Sequence, residues 1–120
     1  MDRKTKGNLG EAKALTYLVQ NEYEVFLPFS DNGSVDLIAI KDKKIYRVSV
    51  KSTSSQNESG SWAVTIKTVS RRKDTVVVNL FDKTNVDKVL VYVIPEDRIV
   101  EIEASDIVSK HQLNIPGRDC

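Results

Sequence analysis

The chain has a single cysteine, Cys120. No internal disulfide can form, and nothing points to an oxidising compartment. No apolar run approaches the length of a membrane span. The basic start, Asp2 to Lys6, has no apolar core behind it of the kind a secretory signal carries. Zinc-ligand spacing and internal repeats are also missing. Charge of one sign is not in excess: 18 Lys and Arg stand against 17 Asp and Glu, a net charge of +1. Bulk attraction to nucleic acid is therefore excluded, and any such affinity must come from local patches. These absences leave a cytoplasmic globular protein. At 120 residues it reads as one domain over residues 1–120, with a modest core.

What is present centres on residues 34–52. Val35 to Ile40 is a nearly unbroken apolar run, and Lys41-Asp42-Lys43-Lys44 suits a tight reversal. Ile45 to Lys51 then alternates. Side chains on a strand point to opposite faces with period 2. Tyr46, Val48 and Val50 therefore share one face, and Arg47, Ser49 and Lys51 share the other. Asp36 stands at the head of the first strand, where a lone carboxylate has little reason to be. An acid at the head of one strand and a lysine at the tail of its neighbour can converge at one end of a hairpin.

Around this hairpin the pattern predicts a helix from about Asn8 to Asn21, with Ala14, Leu15, Leu18 and Val19 on one stripe. Glu11 falls on that stripe. A carboxylate facing a core must be paired, hydrogen-bonded or bound to a cation, unless it lies close enough to the first turn to favour the helix dipole and reach solvent. Tyr23 to Pro28 reads as a strand and Phe29 to Gly33 as a turn. Ser52 to Ser61 reads as a polar loop, in which Ser52 and Thr53 are placed to donate hydrogen bonds to a phosphate. Trp62 to Val69 alternates as a strand. Arg71, Arg72 and Lys73 form the one cationic run, either a solvated turn or a clamp on phosphates. Thr75 to Phe81 could be a strand, with a helix over Leu80 to Val86 left open. Lys88 to Pro95 reads as a buried central strand, Arg98 to Glu103 as an outer strand, and Ala104 to His111 as a short helix with Ile107 and Val108 packed. The tail from Gln112 reads as loose. The order suggests an α/β fold, a mixed sheet with helices on its faces.

Glu11, Asp36 and Lys51 are the residue types that metal-assisted phosphodiester hydrolysis needs. Carboxylates suit Mg²⁺, a hard cation that keeps several waters. Such an ion lowers the pKa of a bound water and neutralises charge on the phosphate. A lysine ammonium can orient that water or stabilise the developing charge.

Gly7-Asn-Leu-Gly10-Glu11, Tyr17-Leu18, Val25, Pro28, Ser34-Val-Asp36-Leu-Ile-Ala39 and Tyr46-Arg-Val-Ser-Val-Lys51-Ser-Thr together resemble the PD-(D/E)xK nuclease superfamily. The match is nearest to small homing endonucleases of group I intron type, with a core shared by Holliday-junction resolvases. The resemblance is strong over residues 7–53 and weaker beyond. It implies a restriction-endonuclease-like fold, a mixed β-sheet flanked by helices. It also implies Mg²⁺- or Mn²⁺-dependent cleavage of double-stranded DNA by a homodimer or higher homo-oligomer. Glu11 would be the helix acid, Asp36 the metal-binding acid and Lys51 the motif lysine. The pattern has Glu, Asp or Gln two residues before the lysine, and here that position is Ser49. A short neutral hydroxyl is a poor Mg²⁺ ligand. The first shell would then be Asp36, the backbone carbonyl of Val50 and waters, with Glu11 reached through water. Three explanations stand side by side: a weaker natural site, another acid such as Asp31 or Glu58 in its place, or an inactivating change. Two functions follow, a metal-dependent endonuclease or a catalytically silent DNA-binding protein on the same fold. A globular α/β protein with no nucleic-acid role leaves the Asp36–Lys51 parity unexplained.

Overall fold

The computed structural model describes residues 1–30 and 33–118, with the backbone alone described for residues 70–72. Asp2 caps the helix α1 (Arg3–Gln20) by accepting the Thr5 amide at 2.7 Å. That cap satisfies one of the helix's orphan donors, so the helix begins about five residues before the expected start. It ends at Asn21. Glu22 takes a left-handed conformation, φ 67°, and the Tyr23 amide donates to the Leu18 carbonyl at 3.0 Å, a C-terminal cap that turns the chain into the sheet.

The buried face of α1 is Gly10, Ala14 and Leu18. Leu15 and Val19 are 37% and 58% exposed, and Glu11 is exposed too. The stripe is therefore rotated from the one that residue size predicts. The helix approaches the sheet through its small residues, which allow close contact, and the larger Leu15 and Val19 are left outside.

The main sheet has five strands: β1 (Glu24–Phe26), β2 (Leu37–Lys41), β3 (Lys44–Thr53), β8 (Lys88–Val93) and β9 (Arg98–Glu103), in the order β1-β2-β3-β8-β9. All pairs are antiparallel except β3 with β8, which is parallel. The β2–β3 reversal places Asp42 and Lys43 at φ 53° and 67°, the backbone of the two-residue turn whose twist matches that of the flanking strands. Every residue of β8 is buried, as expected of a central strand.

A smaller sheet, β10-β5-β4, joins β4 (Ser55–Gln56), β5 (Trp62–Thr65) and β10 (Gln112–Ile115). A separate two-stranded ribbon joins β6 (Thr68–Arg72) to β7 (Thr75–Asn79). The expected strand Trp62–Val69 is thus broken at Ile66 and Lys67, whose amides both donate to the His111 carbonyl. The polar loop after Ser52 is partly strand. Among the described residues α1 is the only α-helix. Ala104–Asp106 is a single 3₁₀ turn, with Ile107 buried and Val108 92% exposed. The Leu80–Val86 stretch is a turn closed by Asp82, which accepts the Thr84 amide and hydroxyl. The tail is not loose: β10 pairs with β5, and Ile115 is 5% exposed.

Two cores result. Ala14, Leu18, Leu37, Ala39, Val48 and Leu90 fill the space between α1 and one face of the main sheet. Trp62, Val64, Ile66, Val89, Val91, Val93 and Ile115 fill the space between the other face and the small sheet. Lys88 is buried on the helix side, bonded to Glu101 at 2.8 Å and Glu103 at 2.6 Å, with its ammonium 4.7 Å from the Tyr46 ring centre. Burial works against its charge, but the two carboxylates outweigh it and hold its pKa above the ordinary lysine range. Glu101 also accepts the Tyr17 hydroxyl at 3.0 Å, which ties α1 to β9. Burial and that bond push the Tyr17 pKa up to about 12.

Candidate functional site

Strand β3 changes partners midway. Residues 44–48 pair with β2, and residues 48–53 pair with β8. Beyond Val48 the edge of β3 facing β2 has lost its partner strand, and Asp36 fills the gap. Its amide donates to the Val48 carbonyl at 2.8 Å, and its Oδ2 accepts the Val50 amide at 2.7 Å. A carboxylate here satisfies a backbone N–H that the sheet would otherwise leave unpaired, and the charge-assisted bond fixes where the acid sits.

Ser49 and Lys51 flank that amide on the same face of β3. Ser49 pairs laterally with Val89 and is 2% exposed; Lys51 pairs with Val91 and is half-buried. Among the described residues Lys51 makes no ion pair. The fork thus places Asp36 at the edge of β3 between Ser49 and Lys51.

Helix α1 packs on the opposite face but crosses β3 close to the fork. A Cβ on Gly10 would lie 2.0 Å from the Ser52 Oγ, so only glycine allows this approach. Glu11 follows Gly10 in the chain and is exposed.

The hydroxyls of Ser52 and Thr53 are engaged within the chain. The Ser52 hydroxyl donates to the Lys6 carbonyl at 3.0 Å, and the Thr53 hydroxyl donates to the Ala63 carbonyl at 2.5 Å. Each hydroxyl has one proton to give, and both protons are used internally. These residues hold α1 and β5 to the end of β3. Glu58 sits exposed in the turn between β4 and β5, and Asp31 lies outside the described residues. Arg71, Arg72 and Lys73 are at the far end of the β6–β7 ribbon.

Arg47 was not singled out by the sequence, although it shares the Ser49 and Lys51 face. Its side chain makes a two-pronged contact with Asp87, 3.1 Å to Oδ2 and 3.2 Å to Oδ1, and its amide donates to Oδ2 at 2.7 Å. These bonds hold the Asp87 carboxyl below its ordinary pKa. Arg47 also lines an open cavity of about 370 Å³ with Pro28, Ser34, Val35 and Asn85, directly before Asp36 in the chain. The signal was the alternation itself; the partner Asp87, 40 residues away, carries no local signature.

Among the described residues no three His, Cys, Asp or Glu gather as a metal cluster. The donor set is instead one anchored carboxylate, a backbone carbonyl and a neutral hydroxyl. That set fits a hard cation which keeps its waters and takes its remaining ligands from a phosphate substrate, as Mg²⁺ does. It does not fit a cation that needs a closed protein cage.

No helix among the described residues is long and apolar enough to cross a membrane. No curated protein sequence matches the chain. The solved structure of a bacterial homing endonuclease, I-Ssp6803I, superposes with a TM-score of 0.85 at 18% identity, covering 99% of this chain and 81% of that one. At that identity the likeness establishes the fold, which is restriction-endonuclease-like. The PD-(D/E)XK endonuclease family model matches residues 1–117, and members of that family generally use divalent metal ions. The chain belongs to the PD-(D/E)XK endonuclease family and is a nuclease resembling a homing endonuclease.

Proposed function

We propose that the protein is a Mg²⁺- or Mn²⁺-dependent endonuclease that hydrolyses phosphodiester bonds in double-stranded DNA, acting as a homodimer or higher homo-oligomer. The observation that carries this reading is the Asp36 carboxylate held on the Val50 amide, beside Lys51, where β3 loses its partner strand. Asp36 and the Val50 carbonyl would hold the metal, with Glu11 contributing through water. The ion, when bound, supplies an acidified water and neutralises charge on the phosphate. Lys51 would orient the attacking water and stabilise the oxygen that gains charge. Arg71, Arg72 and Lys73 contact phosphates, which adds affinity without sequence reading. Cutting both strands in one binding event needs a site on each strand, which is the reason for proposing an oligomer.

A second reading has one specific observation in its favour. Ser49, at the position where the family has a longer polar or acidic side chain, is neutral and 2% exposed, which suits a DNA-binding protein that no longer cleaves. Nicking of a supercoiled plasmid in Mg²⁺ and then Mn²⁺ separates the two. Cleavage by the parent that disappears in Lys51→Ala supports the endonuclease. Cleavage seen only after Ser49→Gln supports the silent binder, and no cleavage by either form in either metal removes the nuclease assignment for this fork.

A further inference from the structure

The β6–β7 ribbon stands away from both cores. Its described side chains, Thr68, Val69 and Lys73 to Asn79, are all exposed. At its base the Ile66 and Lys67 amides donate to the His111 carbonyl and the Phe81 amide donates to the Lys110 carbonyl at 3.0 Å. An isolated two-stranded hairpin is at best marginally stable in water. Its register puts Val69 opposite Val78 and, two residues along the same face, Arg71 opposite Val76; the three valines are 48%, 50% and 57% exposed. The face is therefore valine-rich with a cation near the tip, a mixed surface suited to a partner that is apolar and anionic side by side.

Charge identifies the occupant. Residues 67–79 hold four cations, Lys67, Arg71, Arg72 and Lys73, against one acid, Asp74. With 18 cations and 17 acids in the whole chain, the remainder carries 14 against 16. A protein that is otherwise slightly acidic thus concentrates its positive charge on one protruding arm. The major groove of B-DNA admits a two-stranded ribbon and displays thymine methyl groups on its floor. Strands of five residues span roughly 17 Å, enough to reach that floor with the base of the ribbon outside.

We propose that the β6–β7 ribbon is a recognition arm that inserts into the major groove, with Arg72 and Lys73 on the phosphates and the Val69–Val76–Val78 face, which also carries Arg71 near the tip, turned to thymine methyls and the adjoining backbone. The proposal rests on the endonuclease reading for its choice of DNA as partner. It adds that contact with sequence is made by this arm and not by the fork.

The test uses a labelled mixed-sequence duplex three helical turns long, with Ca²⁺ in place of Mg²⁺, and a second duplex in which every thymine is replaced by uracil. That replacement removes the major-groove methyls and leaves the minor groove unchanged. The parent is expected to bind the thymine duplex several-fold more tightly. A variant with residues 69–78 replaced by Asn-Gly should bind both duplexes weakly and equally. Its log-affinity against log-salt slope should flatten by up to ~0.9 for each phosphate that the arm no longer neutralises. Should that variant fail to fold, the Arg71→Ala, Arg72→Ala, Lys73→Ala triple variant reads the slope alone, and an unchanged slope overturns the arm. Unchanged affinity, slope and thymine preference in the shortened variant also overturn it. So does a fall from dimer to monomer by light scattering at unchanged DNA affinity, which would make the ribbon a contact between two copies of this chain. Plasmid nicking distinguishes the two readings. A shortened variant that nicks like the parent refutes the arm and leaves the endonuclease, whereas arm-dependent binding without nicking in any metal refutes the endonuclease and leaves the arm.

Discussion

The Asp36 carboxylate lies 2.7 Å from the Val50 amide, so one side chain both closes the end of a strand pair and places an anion on the backbone between Ser49 and Lys51. The two roles separate by substitution. Asp36→Asn keeps an oxygen able to accept the Val50 N–H and removes the charge. It should melt close to the parent, bind duplex at least as tightly because an anion has gone, and lose cleavage. Asp36→Ala leaves that N–H without its partner and should cost about 1–3 kcal/mol of stability as well. Calorimetric melting with a nicking assay reads both. Equal melting temperatures for the two variants would show that the bond to Val50 carries no structural weight.

Lys51→Ala should leave folding close to intact, since a half-buried lysine near a strand end contributes little packing. Cleavage should fall by about 100-fold or more, the scale of losing one preorganised electrostatic group, while DNA affinity changes little. Single-turnover cleavage within a few-fold of the parent would remove Lys51 from the site.

Gly10 and Ser52 should be energetically coupled. Gly10→Ala gains helix propensity of about 1 kcal/mol but drives a methyl onto the Ser52 hydroxyl, which must then give up its bond to the Lys6 carbonyl. Ser52→Ala removes the obstructing oxygen. Gly10→Ala should therefore stabilise the protein more in the Ser52→Ala background than in the parent. A double-mutant cycle in urea measures the difference, and simple additivity would show that α1 is not seated on Ser52.

Lys88→Met should destabilise by about 1 kcal/mol at neutral pH, because Glu101 loses its cation while its exposed position lets water screen the loss. Burial raises the Glu101 pKa, but the Lys88 and Tyr17 bonds outweigh it and hold it below its ordinary 4.5. A depressed carboxyl pKa contributes stability that is present above the unfolded value and is lost as pH falls through the folded value. The deficit of Lys88→Met should thus be largest near pH 7 and narrow below pH ~4.5, where protonated Glu101 no longer lacks its cation. A deficit independent of pH would assign the loss to packing alone.

What the sequence made legible was local. The β2–β3 turn, the alternation of Arg47, Ser49 and Lys51, the buried β8 and the outer β9 all depend on neighbours within a few residues. The face parity that singled out Asp36 and Lys51 is a property of one hairpin. Elements whose outcome depends on distant partners were misread. The bonds of the Ser52 and Thr53 hydroxyls to the Lys6 and Ala63 carbonyls carry no local signature, because those partners are remote in sequence. The α1 stripe was placed by residue size, whereas the sheet selects Gly10 and Ala14 for closeness. Residues 112–115 looked loose because their order comes only from pairing with β5.

That last pairing bears on how the chain acquires its shape. Ile115 is registered against Trp62 and Gln112 against Thr65, so β5 emerges during synthesis long before the strand that completes its sheet. Until then Trp62 and Val64 have no cover on that side, and the nascent protein presents an unfinished apolar edge. Loop closure over such a separation is slow relative to local hairpin formation. The β2–β3 hairpin and α1 need no such distant closure, whereas the small sheet is complete only once residues 112–115 are available to pair.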